Sequence, residues 1–470
     1  MESPTDMPVD ATAKPPVTPG IDGLPPELRR WAVAAIFTTL ALASLDTAIA
    51  NIALPAIAAD LHVSPAEVIW VVNVYQIALV ATLLPLGALG EIVGHERIYL
   101  GGVLLFTLAS LGCACAWSLP SLLVARTLQG LGASGIMAIN AALVRFVYPT
   151  HMLGRGFGYN ALVVGTAFTL GPTIASAILA VGTWPWLFAI NIPFGAIAIW
   201  IGLKTLPRTP RAVHAFDFLS AGLTVSCLGL FIIGIGSAAH EATPALVAIE
   251  LVAAVLLGWL LTRRHADHPA PMLPIDLFRR PMFALSAATS VCSFAVQGLA
   301  FVSLPFYFED VLLRSQVETG FFMTPWPLVV AIMAPIGGRL SDRYPVGLLG
   351  GLGLVLLALG MALLATLPAE PSTANIVWRM VVCGIGFGFF QTPNLRALMS
   401  SAPPHRSGSA SGIVATARLT GQTIGAALAA LCFALADHDG ATLALALGAG
   451  FSALGSVMSF LRLAVGTRST

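Results

Sequence analysis

One acidic side chain lies within a long apolar stretch near the start of the chain. Asp46 falls inside the run from Trp31 to Pro55, WAVAAIFTTLALASLDTAIANIALP, which is long enough to cross a bilayer. A carboxylate at the centre of a membrane costs roughly 3 kcal/mol. Such residues usually face the interior of a helix bundle or a wet cavity, where they mark proton or substrate pathways. Asp46 is therefore a candidate proton carrier.

A pair of polar side chains occurs in another apolar run, 121–147. Arg126 and Gln129 are three residues apart and share one face of the predicted helix. Counting from the outer ends of the two runs, the Cα atoms of Asp46 and Arg126 differ in depth by roughly 8 Å, which long side chains can shorten. We hypothesise that Arg126 tunes the protonation of Asp46. A static structural ion pair is the alternative, because buried ion networks also perturb titration without carrying protons.

Composition identifies the class of protein. The 470 residues are 57% hydrophobic and only 10% charged, whereas soluble domains carry about 25% charged residues. This composition predicts a polytopic membrane protein. The chain has no basic patch with interleaved aromatic residues, so nucleic acid is not an expected partner. It has no phosphate-binding loop and no catalytic or metal-ligating cluster. We therefore expect neither an enzyme nor a cofactor, and a proton gradient as the source of energy.

The apolar runs predict fourteen membrane spans. They fall near 31–55, 66–90, 97–117, 121–147, 155–181, 184–206, 217–238, 243–262, 281–308, 319–341, 347–367, 375–400, 407–435 and 440–463. All but four of the 23 Lys and Arg residues lie on one side of these spans. Because cytoplasmic loops carry the excess of Lys and Arg, we expect both termini in the cytoplasm.

The first and last thirds of the chain resemble each other at an offset near 251. Gly87–Glu91 pairs with Gly338–Asp342, and Arg126 pairs with Arg379. Six spans therefore repeat as six, with two inserted between them, and parallel halves around a midplane site are a transporter architecture. The predicted units are a disordered cytoplasmic tail (1–28), a six-helix bundle (29–206), two inserted spans (207–265), a second six-helix bundle (266–463) and a cytoplasmic tail (464–470).

Several motifs together carry a family resemblance. They are SLDTAIANIALP (44–55), GALGEIVGHER (87–97), ARTLQGLGA (125–133), AFTLGPTIAS (167–176), TWPWLFAINIP (183–193), GGRLSD (337–342) and ATARLTGQTIG (415–425). The chain resembles the major facilitator superfamily, and within it the fourteen-span drug:proton antiporters of the EmrB/QacA type. The resemblance implies an all-α fold in which two six-helix bundles flank two inserted linker helices.

The resemblance also assigns roles to particular positions. Gly171 and Pro172 belong to the antiporter motif of the fifth span, where Pro172 removes one backbone hydrogen bond. The gating loops contain Gly87, Glu91, Gly94, Arg97, Gly338, Arg339, Asp342 and Arg343. Candidate cavity residues are Asn73, Gln76, Gln129, Asn140, Gln297, Gln391, Asn394, Arg418 and Gln422. The alternative for the amides is a hydrogen bond that holds two helices together, and the alternative for Arg418 is a structural pairing.

Departures from the family pattern weaken one expectation. In the first gating loop the acid is Glu91 rather than Asp, Ile92 replaces an Arg, and His95-Glu96 replaces a basic pair. The charge network that holds the two halves together is therefore expected to be thinner or shifted.

The function implied is proton-coupled export of hydrophobic or amphipathic compounds, such as multidrug efflux, by alternating access. An exporter of an endogenous anionic or lipid-like metabolite is the alternative, because the predicted spans contain three arginines, Arg126, Arg379 and Arg418, beside the acid Asp46. A cavity built for lipophilic cations should be rich in acids. Expected partners are membrane lipid, protons and a small-molecule substrate, with a periplasmic adaptor left open. We expect a monomer in the cell (inner) membrane.

Overall fold

A computed structural model of the protein describes residues 23–149, 152–211, 216–237, 244–266, 275–341, 343–368, 370–401, 407–436 and 439–466. The helices of the first part are α1 (Pro26–Leu61), α2 (Pro65–Val68), α3 (Trp70–Val93), α4 (His95–Ala114), α5 (Leu119–Val147), α6 (Leu153–Val181), α7 (Pro185–Ala189) and α8 (Asn191–Thr205). The middle part contains α9 (Phe218–Ser237), α10 (Pro244–Ala266) and α11 (Ile275–Phe278). The last part contains α12 (Pro281–Phe306), α13 (Gln316–Met323), α14 (Pro325–Leu340), α15 (Val346–Ala365), α16 (Thr373–Ser401), α17 (Ser407–Ala436) and α18 (Gly440–Gly466).

Thirteen helical segments are long and apolar enough to cross a membrane within the described residues. They correspond to thirteen of the fourteen predicted spans, which confirms an all-helical, multi-pass membrane protein. The remaining run forms the apolar helix Phe218–Gly234, which is shorter than the others in its described part. Fourteen crossings therefore stay a prediction, as does the description of α9 and α10 as inserted linker helices.

Three spans are divided near one end into a short helix and a long one. The breaks fall at Ile69, Ile190 and Thr324, between α2 and α3, α7 and α8, and α13 and α14. Proline occupies the first turn of α2, α7 and α14, where its missing N–H and fixed φ favour a helix start. A capping box also fixes the start of α2, where Ser64 and Glu67 exchange hydrogen bonds.

Helix packing separates the described residues into two groups. In the first group, α1 packs on α6 and α8, and α5 packs on α3 and α4. In the second, α12 packs on α17 and α18, α15 on α16 and α18, and α14 on α16. The groups meet along α1 with α12, α3 with α17, and α6 with α13. These groups follow the predicted duplication, and the exact unit boundaries remain predictions.

The helix pair α9–α10 is joined by a polar contact at one end. Asp217 precedes α9 and accepts hydrogen bonds from the backbone N–H and hydroxyl of Ser220 at 3.0 and 2.6 Å. Arg264 of α10 lies 3.2 Å from the same carboxylate. Burial would raise the pKa of Asp217, but these hydrogen bonds and the guanidinium together hold the pKa below its usual range. The pair α9–α10 in turn contacts both groups, because α9 packs on α3 and on α17.

Candidate functional site

Asp46 and Arg126 form an ion pair inside the first group of helices. The carboxylate Oδ2 of Asp46 lies 2.5 Å from Nη1 of Arg126. Both side chains are almost completely buried, at 1% and 0% exposure. The crossing of α1 and α5, together with the length of the arginine, bridges the difference in depth that the sequence suggested.

Three donors share the carboxylate of Asp46. Besides Arg126, Gln129 donates from Nε2 to Oδ1 at 2.8 Å, and Asn191 donates from Nδ2 to the same oxygen at 3.0 Å. Gln129 also donates to the hydroxyl of Ser110 at 2.8 Å. Gln129 therefore belongs to this cluster. Sequence reasoning missed Asn191 and Ser110, although Asn191 lies within the motif TWPWLFAINIP and was detectable there.

Arg126 is held by more than its acidic partner. Its Nη1 donates to Oε1 of Gln129 at 2.6 Å, and its Nε donates to the carbonyl of Val71 at 3.0 Å. The guanidinium carbon lies 4.2 Å from the ring centre of Tyr75 and 5.3 Å from that of Phe188, distances at which an aromatic face attracts a cation. Its Nη2 has no hydrogen-bond partner among the described residues.

This arrangement can work as a protonation switch. Removing one partner of a buried ion pair is costly, about 3–5 kcal/mol, because it leaves the other charge uncompensated. A proton arriving at Asp46 would therefore remove the ionic part of its contact with Arg126 and leave the guanidinium to its other contacts. The cluster joins four helices, α1, α4, α5 and α8, so a change in its charge acts on the packing of the whole first group.

A narrow cavity lies where the two groups of helices meet. It is lined by Thr47, Asn51, Gln76, Phe168, Gln297, Gly298, Phe301, Val302 and Gln422. Three of the predicted cavity residues, Gln76, Gln297 and Gln422, are among them. Thr47 and Asn51 were missed, although both lie in the motif SLDTAIANIALP and are four residues apart on one face of α1.

The structure does not place the other predicted cavity residues on this cavity. Asn140 donates to Oδ1 of Asn160 at 2.8 Å and so joins α5 to α6. Asn73 is fully buried, and neither atom of its amide has a partner among the described residues. Gln391 is half-buried on α16. Arg418 is half-buried on α17, one turn from Gln422, and no described residue pairs with its Nε.

Asn394 packs inside the second group of helices rather than on the cavity. Its Oδ1 accepts a hydrogen bond from Nη1 of Arg462 at 2.6 Å, and its Nδ2 donates to the hydroxyl of Ser290 at 2.7 Å. Arg462 is buried and also donates to the hydroxyls of Ser286 and Ser459. The amide of Asn394 therefore accepts a hydrogen bond from a buried guanidinium and contributes to helix packing rather than to the cavity.

The antiporter-motif residues lie at two close helix contacts. A side chain on Gly171 would place its Cβ 2.5 Å from the Cβ of Ala48, so glycine is needed for α6 to approach α1. Ser176 donates to the carbonyl of Gln316 at 2.9 Å, and the hydroxyls of Thr173 and Thr324 lie 2.9 Å apart. The carbonyl of Pro172 also faces Gly320 of α13. This region therefore joins the two groups of helices.

The first gating loop has a different polar contact from the one suggested by the family pattern. Glu91 and Arg97 are exposed, and Glu91 has no ion pair within the described part of the chain. Glu96 is buried instead and accepts hydrogen bonds from the backbone N–H and the hydroxyl of Thr209 at 3.1 and 2.8 Å. Gly94 adopts φ +114°, a conformation that favours glycine. Gly87 lies inside α3.

The second gating loop is tied to α16. Arg396 donates to the hydroxyl of Ser341 at 3.1 Å. Gly338 lies in α14, where an added Cβ would be 3.2 Å from Thr392, while Arg339 and Arg343 are exposed. Asp342 lies outside the described residues, so its predicted role is untested.

Comparison with known proteins gives the family. The Major Facilitator Superfamily model matches residues 36–426. The chain is 47% identical to the uncharacterized transporter YebQ of Escherichia coli over 94% of this chain and 97% of that protein. It is 30% identical to the riboflavin transporter RibZ of Clostridioides difficile, over 86% and 89% of the two chains. It is also 30% identical to the multidrug resistance protein Stp of Mycobacterium tuberculosis, over 82% and 72%.

These matches span most of the chain and agree with its all-helical, multi-pass architecture. Two of these relatives are transporters by name, and the third is a multidrug resistance protein. The protein therefore belongs to the Major Facilitator Superfamily of membrane transporters.

Proposed function

We propose that the protein is a proton-coupled exporter of hydrophobic or amphipathic compounds, of the fourteen-span drug:proton antiporter type. Asp46 is the proton carrier, and Arg126 is the partner that holds it charged between transport events. The observation that carries this proposal is the buried ion pair at 2.5 Å, shared with Gln129 and Asn191. The names of two relatives, a multidrug resistance protein and a riboflavin transporter, support movement of organic compounds.

In the proposed cycle, the halves rock about the cavity between them and open it to one side at a time. A proton from outside neutralises Asp46 and releases Arg126, and the return of the proton to the inside restores the pair. Inward movement of one proton supplies about 2.3 kcal/mol per 100 mV and about 1.4 kcal/mol per pH unit. At those values one proton sustains roughly a few-hundredfold gradient of a neutral substrate.

The same proposal includes the location, oligomeric state and membrane topology of the protein. It acts as a monomer in the cell (inner) membrane, with both termini in the cytoplasm, and α9 and α10 are the two inserted spans. A periplasmic adaptor is a further possible partner, to be tested by co-purification.

A second function, export of an endogenous anionic or lipid-like metabolite, has its own supporting observation. Arg379, Arg418 and Arg462 have no acidic partner within 4 Å among the described residues. Arg379 instead donates to Asn375 at 3.0 Å and to the carbonyl of Leu363. Arg418 lies one turn from the cavity residue Gln422, and no acid lines the cavity among the described residues, which favours an anionic over a cationic substrate.

Transport driven by an imposed pH gradient tests the proposal. Proteoliposomes containing the purified full chain should accumulate a dye such as ethidium, or an organic anion, only when the gradient is present. A protonophore should abolish that accumulation. Uptake that is unaffected by the protonophore would contradict proton coupling. A resistance panel in an efflux-deficient host then separates the two functions, because quaternary ammonium resistance favours drug export, and export of organic anions alone favours the metabolite.

A further inference from the structure

The cavity between the two halves has a distinctive chemistry. Its polar lining consists of one hydroxyl and four carboxamides, and two phenylalanine rings, Gly298 and Val302 form the rest. The polar residues are Thr47, Asn51, Gln76, Gln297 and Gln422, and the rings are Phe168 and Phe301. No acidic or basic side chain is among the described residues that line it.

The two carboxamides that the second group of helices contributes to the cavity are only partly paired. Gln422 donates from Nε2 to Oε1 of Gln297 at 2.8 Å. Each carboxamide has both a donor and an acceptor, so the pair keeps one NH₂ group and one carbonyl without a partner among the described residues. This holds for either orientation of the two amides, because one donor and one acceptor are used in each case.

Two further acceptors on the other side of the cavity lack donors. Oδ1 of Asn51 and Oε1 of Gln76 are buried and have no hydrogen-bond partner among the described residues. Leaving a buried acceptor unsatisfied costs free energy, and a ligand that donates to these oxygens recovers it. The cavity therefore presents both acceptors and a donor to whatever occupies it.

Among the described residues, the charged groups near the cavity do not line it, and Arg418, one turn from Gln422, is not among the lining residues. Asp46 precedes the cavity residue Thr47 in α1, but its carboxylate is occupied by Arg126, Gln129 and Asn191. A cationic ligand in the cavity would have no free carboxylate as counter-ion, only uncharged carbonyl oxygens and the two phenylalanine rings. An uncharged ligand has no such requirement, and the same rings can stack against a flat aromatic system.

We infer that this cavity binds an uncharged, planar aromatic compound whose edge carries both hydrogen-bond donors and acceptors, such as a lactam, an imide or a hydroxyquinone. The inference rests on the proposed transport function, because it names the class of substrate. In this conformation the space open to the centre of a water molecule is about 10 Å³, enough for about one water. The compound therefore enters when the two halves separate.

Binding of matched fluorescent probes to the full chain in lipid nanodiscs tests the substrate class. Lumichrome is a planar, neutral alloxazine with lactam and imide groups, and ethidium is a planar cation. Lumichrome should bind at least tenfold more tightly than ethidium. Equal or tighter binding of ethidium, or no binding of lumichrome, would overturn the inference.

A charge substitution tests whether this cavity is the binding site. Gln297→Glu keeps the shape and the acceptor for Gln422 but removes the free NH₂ donor and adds a negative charge. It should weaken lumichrome binding about tenfold and strengthen ethidium binding. Gln391→Glu makes the same chemical change at a half-buried glutamine that does not line the cavity, and it should change neither affinity. Equal effects of the two substitutions would refute the assignment of the site.

Transport separates this inference from the proposed function. Lumichrome that binds but is not moved by a pH gradient in proteoliposomes would overturn proton-coupled export and leave the binding site intact. Ethidium that is moved by the gradient while lumichrome does not bind would overturn the substrate class and leave proton-coupled export intact.

Discussion

At the residue scale, the described residues show a buried ion pair of this kind only in the first group of helices. Asp46 and Arg126 contact each other directly, whereas the counterpart of Asp46 near position 296 is Val296 or Gln297. The counterpart of Arg126 is Arg379, which donates to an amide and a backbone carbonyl. If the proton is carried on Asp46, coupling belongs to the first group of helices, and Arg379 is the matched arginine for comparison.

Replacement of Arg126 tests its role as the partner that tunes Asp46. In Arg126→Ala the carboxyl loses its cation while it stays buried, so the neutral, protonated form is favoured. The pH optimum of transport should move upward by about one pH unit or more, measured as initial uptake rates between pH 5.5 and 8.5. Arg379→Ala should leave the optimum in place. An unchanged optimum in Arg126→Ala would mean that the arginine is only structural.

Much of this cluster could be predicted from charges in apolar runs. Asp46 and Arg126 are expensive in a membrane and therefore conspicuous, and Gln129 follows from its spacing on the same helix face. Ser110 and Asn191 were not predicted because small polar residues are common in membrane helices, and their contact with Asp46 depends on how four helices cross. Asn394 was assigned to the wrong surroundings for the same reason, since Arg462 on α18 determines its environment.

At the element scale, the antiporter-motif helix α6 depends on close approach to its neighbours. Gly171 fits against Ala48 of α1, two residues from Asp46, and the next turn of α6 contacts α13. The sequence predicted the spans and their order well because apolar length is a strong signal. The breaks at Ile190 and Thr324, and the shift from Glu91 to Glu96 as the buried acid, depend on local packing that a run of apolar residues does not reveal.

Adding one methyl group at each of two glycines of α6 tests which of them packs tightly against a neighbouring helix. Gly171→Ala would bring a Cβ within 2.5 Å of Ala48, and such overpacking typically costs about 1–3 kcal/mol. The melting temperature of the purified protein should fall by a few degrees, and transport should slow. Gly165→Ala, on the same helix, meets nothing within 4 Å and should leave both unchanged. Equal behaviour of the two variants would contradict the tight α1–α6 contact.

At the scale of the whole molecule, the two groups of helices touch where α6 meets α13 and α14. Thr173 and Thr324 are hydrogen-bonded there, and Ser176 donates to α13. By the predicted orientation this end faces outward, so the contact closes the cavity to the outside. Alternating access requires that it open and re-form in each cycle.

A reversible cross-link between the two halves tests that requirement. In a Cys115→Ser background, Thr173→Cys with Thr324→Cys should form a disulfide under mild oxidation, because the native hydroxyls lie only 2.9 Å apart. Oxidation should stop transport, and a reducing agent should restore it, while either single cysteine variant stays active under both conditions. A cross-linked protein that still transports at the normal rate would show that this contact does not open.

The most direct test of proton coupling is substrate-induced proton release from the purified protein in proteoliposomes. Lumichrome or ethidium, whichever the wild-type protein transports, is added, and the pH is followed with a fluorescent indicator. Asp46→Asn keeps the size of the side chain but removes its titration. Because it leaves the buried charge of Arg126 uncompensated, it should lower the melting temperature. The folded fraction should bind the compound within a few-fold of wild type and release no protons. Proton release at the wild-type level in Asp46→Asn would show that Asp46 is not the proton carrier.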